Sequence, residues 1–344
     1  MALIKQGFFG FQLDVKSMIP LAAVLVLAFI LLFVLTWTNT FHCKSLPGWC
    51  DVYYSIKNAV FYGDMGIKSQ PKVAIVYGDD GLGDPYALQT LISDIASIKG
   101  QKPDMLNIKF LSLGNLKQYD MIIVDRARTM STEHVSMFVT YANQGGKLVW
   151  TGDAGAQLPK SENPEQYLLY EDETTKNPDT PHNVINPWAR KLGTKMVLLN
   201  ELLSVNYRGN YCDFKPCMPV INCDGKLVAI NKKHPLVYGL SPILEFCFVG
   251  KNSFSLVTII GKNPSTTVLS AEMGSNIFDE SQTNYGNIMP LIVLTSKSSI
   301  LTLNIGENVA YYALPPEYYA YSSIDDKHRY YSLIENLYYG MLFG

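Results

Sequence analysis

The sequence predicts an α/β domain built on a mainly parallel sheet and preceded by one N-terminal transmembrane helix. Three observations carry that expectation. Residues 19–37, IPLAAVLVLAFILLFVLTW, form an apolar run without a single charge; at about 1.5 Å per residue it is roughly 28 Å long, close to the ~30 Å hydrocarbon core of a bilayer. From Lys72 onward, short continuous apolar runs alternate with amphipathic stretches, the pattern of strands buried on both faces and joined by crossover helices. The closing strand and helix, Val309–Ala313 and Tyr330–Leu342, read as completion of the same sheet rather than a second domain.

In chain order, residues 1–18 are a short amphipathic lead-in, 19–37 the expected span, 38–70 a juxtamembrane segment, and 71–344 the folded domain with an insertion at about 156–225. Pro20 falls in the first helical turn, where a missing N–H costs nothing, and Trp37 at the far end suits the interface. A cleaved signal peptide fits less well, because the run exceeds an h-region of about 7–15 residues and no small-x-small site follows. Lys5 and Lys16 before the run face Lys44 and Lys57 after it, so charge does not set the orientation. All six cysteines, Cys43, Cys50, Cys212, Cys217, Cys223 and Cys247, lie beyond the run. Three of them crowd into CDFKPCMPVINC, the arrangement of a loop stapled in an oxidising compartment. The alternatives are small buried hydrophobes and zinc ligands, the latter opposed by C-x₄-C and C-x₅-C spacings without a nearby His. The expectation is a cell-membrane protein with an extracytoplasmic domain and two or three disulfides of unassigned pairing.

Within 71–344, Lys72–Tyr77 is the first strand, turned by the loop from Gly78 to Gly83. Asp84 and Pro85 start a helix whose Leu88, Leu91, Ile92, Ile95 and Ile98 share a face up to Gly100. Ile108–Leu111 reads as a second strand and Tyr119–Val124 as a third. Ser131 caps a helix with a stripe of Val135, Phe138, Val139 and Ala142, closed by Gly145 and Gly146, and Lys147–Thr151 is the fourth strand. The insertion carries a polar stretch, a short helical pattern near Trp188–Leu192 and the cysteine cluster. Further strand-like runs follow at Leu227–Ile230, Phe246–Val249, Leu256–Ile260, Thr267–Ser270 and Leu291–Thr295.

Composition excludes one class of partner. A net charge of −2 with 17% charged residues offers no basic face for nucleic acid. Charged residues are scarcer than the ~25% usual in soluble proteins and the 22 tyrosines are many, so part of the surface is polar-aromatic, a composition that meets protein partners.

Four segments together resemble the class I glutamine amidotransferase-like superfamily: KVAIVYGDD; YDMIIVD followed by a helix and GGKLVWTGDAG; the run His234–Leu240, similar to the family's HPL-x-x-GL; and ENVAYYALPPE with a late Asn336 and Leu337. The resemblance covers most of 71–344 and implies a flavodoxin-like three-layer sandwich. It also implies a nucleophile elbow after the strand Lys147–Thr151. Here that turn reads Gly152-Asp153-Ala154-Gly155-Ala156, with no thiol or hydroxyl, so amidotransfer lacks its activated nucleophile.

Ligands of open parallel sheets gather outside the carboxyl ends of the strands. Asp79, Asp80, Asp125 and Asp153 are placed there and could hold a divalent cation such as Mg²⁺ or Ca²⁺ through oxygen, although Asp after a strand commonly caps a helix or makes a turn. Arg126 and Arg128 could clamp an anion or pair with those acids. The loop from Gly78 to Gly83 fits no nucleotide fingerprint, and His134, His182, His234 and His328 share no metal spacing. No catalytic residue and no obligatory cofactor is assigned. The resulting expectation is a non-enzymatic, single-pass scaffold or binding module in a complex with other membrane or surface proteins, as the resemblance to degenerate domains of oligosaccharyltransferase and intraflagellar-transport particles implies. The alternative is a metal-dependent hydrolase or a small-ligand binder or sensor using the acidic strand ends. The tyrosines around Pro315 and Pro316 are expected on an exposed loop.

Overall fold

The computed structural model describes residues 15–37, 71–96, 102–171, 183–217, 221–241, 243–249, 253–260, 265–279, 282–295, 308–321 and 330–343, with isolated positions between 41 and 56. The chain forms two compact units, 1–68 and 69–344. In the first, helix α1 (Val15–Trp37) forms over the apolar run. Trp49 packs edge-on against Phe29 at 5.2 Å and donates its indole N–H to Thr36 Oγ1 at 2.9 Å. Among the described residues, however, no helix is long and apolar enough to cross a membrane. The single-pass anchor over 19–37 and the cell-membrane location drawn from it are therefore corrected. Most of the lead-in and of the juxtamembrane segment lies outside the described residues, as do Cys43 and Cys50.

The second unit is organised by a nine-stranded sheet. Its parallel half is β1 (Val73–Tyr77), β2 (Asp104–Asn107), β3 (Met121–Asp125), β4 (Lys147–Thr151) and β14 (Val309–Tyr312). They lie in the order β2-β1-β3-β4-β14. These strands are continuous apolar runs because both faces are covered: Ala74, Ile75, Val76, Ile122, Ile123, Val124, Leu148 and Val149 are fully buried. Helix α2 (Pro85–Ala96) packs with α7 (Pro316–Tyr321) and α8 (Tyr331–Phe343). Helix α4 (Thr132–Asn143) packs with the single turns α3 (Leu113–Leu116) and α5 (Leu199–Leu203). Ser131 caps α4 by accepting from His134 N–H at 3.1 Å.

The other half of the sheet runs β14-β13-β12-β9-β10, with β9 (Ile221–Ala229), β10 (Ile243–Val249), β12 (Ser265–Phe278) and β13 (Asn284–Thr295) all antiparallel to their neighbours. The expected mainly parallel, flavodoxin-like architecture behind a membrane helix is thus corrected to a mixed α/β sheet with as many antiparallel pairings as parallel ones. The physical reason is connection length: β12 and β13 are joined by a short turn and can only fold back as a hairpin. Two smaller sheets complete the unit. One is β5 (Tyr167–Glu171), β6 (Asn183–Leu192) and β7 (Lys195–Leu198); the other is β8 (Val205–Asn210) paired with β11 (Ser255–Ile259), with the turn α6 (Tyr211–Phe214) after β8.

Two further expectations move. Trp188–Leu192 is strand, not helix, since it pairs with both β5 and β7; an apolar run this short does not distinguish the two periods. The second strand lies at Asp104–Asn107, while Ile108–Phe110 is a 3₁₀ turn begun by Asn107, whose side chain accepts from Lys109 N–H.

Candidate functional site

The carboxyl ends of the parallel strands carry the chemistry. Asp125, last residue of β3, is fully buried. Its Oδ1 accepts from Thr151 Oγ1, at the end of β4, at 2.7 Å, while Oδ2 has no partner. Glu317, in the first turn of α7, is fully buried too; its Oε1 accepts from Asp84 N–H at 2.6 Å and its Oε2 has no partner. The next residue, Tyr318, accepts at its hydroxyl from Gly83 N–H at 2.9 Å. Helix α7 therefore clasps the loop after β1 with two consecutive side chains, 233 and 235 residues away in sequence. Burial pushes the Asp125 carboxyl up to about 7, with the charges of Asp84 and Asp153 adding to the Thr151-opposed shift. Burial and then Asp125 hold Glu317 well above the usual carboxylate range. At neutral pH the pair retains at least one proton, because two buried charges with no facing cation cannot both ionise.

Gly83 makes this approach possible. Its φ of +121° is a glycine conformation, and a Cβ there would lie 2.3 Å from Asp125 Oδ1.

Asp153 serves a different purpose. Almost fully buried, it accepts from Leu82 N–H at 2.8 Å and from Asn210 Nδ2 at 3.0 Å, and Arg128 Nε lies 3.7 Å from its Oδ2. It ties the loops after β1 and β8 to the end of β4. Asp80 is a loop fastener, accepting from Thr129 N–H and Oγ1 at 3.1 and 2.6 Å. Asp79 is exposed and pairs with exposed Lys109. The four acids proposed for a cation are thus not brought together. Among the described residues the one group of three His, Cys, Asp or Glu ligand atoms within 4.8 Å of one another is Cys223, Glu245 and Cys247.

The turn 152–156, where an elbow nucleophile would stand, is sealed. Ala154 is buried, and its carbonyl accepts both Trp150 Nε1–H at 2.9 Å and Trp188 Nε1–H at 2.8 Å. Arg190, two residues after Trp188 on β6, is fully buried and gives its three guanidinium nitrogens to the carbonyls of Pro187, Met130 and Gly155. Burial lowers it to about 10, within the charged range at neutral pH, and it stands over the Tyr167 ring at 5.7 Å. The insertion therefore covers the turn instead of leaving it open.

Of the residues singled out from the sequence, Asp125 and Asp153 lie at this edge and Tyr318, expected exposed, is half-buried against Gly83, while Glu317 and Arg190 were not singled out. The signal for Glu317 was present as the last letter of ENVAYYALPPE. The tyrosines around Pro315 and Pro316, expected outside, are inside: Tyr311, Tyr312 and Tyr319 are buried, and Tyr311 donates to Gly152 O at 3.1 Å. His234 starts a short turn by accepting from Leu236 N–H; His182 and His328 lie outside the described residues. The structure pairs Cys212 with Cys217 and Cys223 with Cys247. A cavity of about 200 Å³ beside β11 and β13, lined by Arg208, Thr258, Ile259 and Ile288 among others, includes none of the strand-end acids.

No family model and no curated protein matches the chain. Among solved structures it overlaps a protein described as ThuA-like from Bacteroides uniformis, at 15% identity over 81% of this chain and 95% of that one, TM-score 0.45. It overlaps an IFT52 N-terminal domain at 12% identity over 79% and 98%, TM-score 0.45. A β-galactosidase from the haloarchaeon Halorubrum lacusprofundi matches at 13% identity over 84% of this chain but 33% of that one, TM-score 0.43. Overlaps of this size assign neither a family nor an activity.

Proposed function

We propose that residues 69–344 are a non-enzymatic binding module, similar to the class I glutamine amidotransferase-like superfamily but without its chemistry. The observation that supports this reading is the sealed turn after β4. A nucleophile needs a free side chain and room for substrate, whereas Ala154 has neither, and its carbonyl is occupied by two indoles. Asp80 and Asp153 are spent on fastening loops and Asp125 is buried against Thr151. Large apolar side chains stand exposed on the antiparallel half instead: Ile230, Ile243, Phe278 and Ile288. That is a composition suited to protein contact. The two disulfides suit an oxidising compartment.

The test is isolation of the tagged full chain from its source cells, with mass spectrometry and multi-angle light scattering, beside assays for glutamine, amide and ester hydrolysis. A stoichiometric protein partner without turnover is the expected result. Turnover that disappears in Asp125→Asn or Glu317→Gln would overturn it. A second reading, a sensor at the acidic edge, is favoured by one observation: Asp125 Oδ2 and Glu317 Oε2 are buried acceptors without donors.

A further inference from the structure

We propose that Cys223, Cys247 and Glu245 form a redox-gated site for a thiophilic divalent cation such as zinc, closed by the disulfide and opened by a dithiol reductant. Spacing along the chain argues against zinc held by the cysteine cluster alone, but the structure joins its last cysteine, Cys223, to Glu245 and Cys247 of β10. Strand β10 brings Glu245 and Cys247, two residues apart and so directed to one face. Strand β9 brings Cys223 across from them. The register places Phe246 opposite Gly225 and Phe248 opposite Asn222, so Cys223 and Asp224 together oppose the single residue Cys247. This β-bulge turns Cys223 onto Cys247, and the Glu245 carboxylate and both sulfurs lie within 4.8 Å of one another.

Position and chemistry agree. Strand β10 is the outer strand of the nine-stranded sheet, Glu245 is exposed, Cys223 is half-buried and Cys247 is buried. The set is thus reachable from solvent on one side and backed by protein on the other. Two thiolates and a carboxylate make a three-ligand zinc set that leaves a fourth position for water. The balance is simple. A dithiol gives two electrons and two protons to the S–S bond, yielding two thiols and its own disulfide. The cation then displaces both thiol protons and binds two thiolates. Cys212 and Cys217 have no third ligand of this kind among the described residues, so the two disulfides are not equivalent.

The probe is Co²⁺ added to the full chain, oxidised or reduced under argon. The expected result is one equivalent bound with a sulfur-to-cobalt charge-transfer band in the reduced protein and no such band in the oxidised one. The band survives Cys212→Ser/Cys217→Ser and is lost in Cys223→Ser/Cys247→Ser. Glu245→Gln, which keeps both disulfides and the fold, weakens binding roughly tenfold or more. Zn²⁺ should raise the melting temperature of the reduced chain only. A band that persists without Cys223 and Cys247, affinity indifferent to Glu245, or a reduced chain that unfolds and is not recovered by Zn²⁺ would each overturn the proposal.

Discussion

Arg190 and the Asp125–Glu317 pair are both taken wholly out of water, and they meet the cost in opposite ways. The guanidinium directs each of its nitrogens at a backbone carbonyl and keeps its charge. The two carboxyls each leave an oxygen without a donor and keep at least one proton between them at neutral pH instead. A buried ion that is fully hydrogen-bonded acts as a staple, while one that is half-bonded is a stored response to pH. The first lies under the insertion and closes the turn after β4; the second lies under α7 and closes the loop after β1.

The largest effect should come from breaking the staple. Arg190→Ala orphans the carbonyls of Met130 and Gly155 and opens a void, so chemical denaturation should show a loss of about 3–5 kcal/mol. Lysine should not rescue it, because one ammonium cannot replace a fork that reaches three carbonyls.

The acid pair should respond in the opposite direction. Folded-state values above the unfolded carboxylate range mean that these two groups bind more protons in the folded chain, so their contribution to stability is fully present below about pH 4 and is lost as pH rises through about 7 for Asp125 and further for Glu317. Glu317→Gln removes a group that must stay protonated to be buried and keeps an acceptor for Asp84 N–H. It should raise stability at pH 8 by about 1–3 kcal/mol and flatten the slope between pH 5 and 8. A melting series in which wild type and variant keep parallel pH profiles would refute the proton-holding account. Gly83→Ala tests the same contact sterically. A methyl group 2.3 Å from Asp125 Oδ1, on a backbone at φ +121°, should cost about 1–3 kcal/mol.

Legibility in the sequence divides along the same line. The parallel strands could be read because burial on both faces writes itself as unbroken apolar runs, and Asp125 and Asp153 could be read because each closes one. Four acids looked equivalent there, yet the turn after Gly78 sends Asp79 to solvent and Asp80 to Thr129. Glu317 could not be placed, because its neighbours come from chain segments more than 190 residues away. Arg190 was hidden because a charged residue in a short mixed run reads as surface, and only the pairing of β6 with β5 and β7 turns it inward. The antiparallel half was legible only at its centre. Strand β12 is buried from Val268 to Ala271 and alternates outward beyond, so its polar ends resemble loop.

The smallest expected effect gives the sharpest reading of the sealed turn. Ala154→Cys places a thiol in the turn where the proposed resemblance would put one, and overpacking by a single sulfur should cost about 1 kcal/mol. If Trp150, Trp188 and Arg190 close the turn as their hydrogen bonds indicate, that thiol should resist iodoacetamide in the native protein and react on denaturation. Combining it with Arg190→Ala should then expose it, since the insertion would lose its hold on Gly155. Rapid native labelling of the single variant would mean that the turn opens in solution. The comparison would then reverse, leaving the Arg190 side as the mobile region and the acid pair as the fixed one.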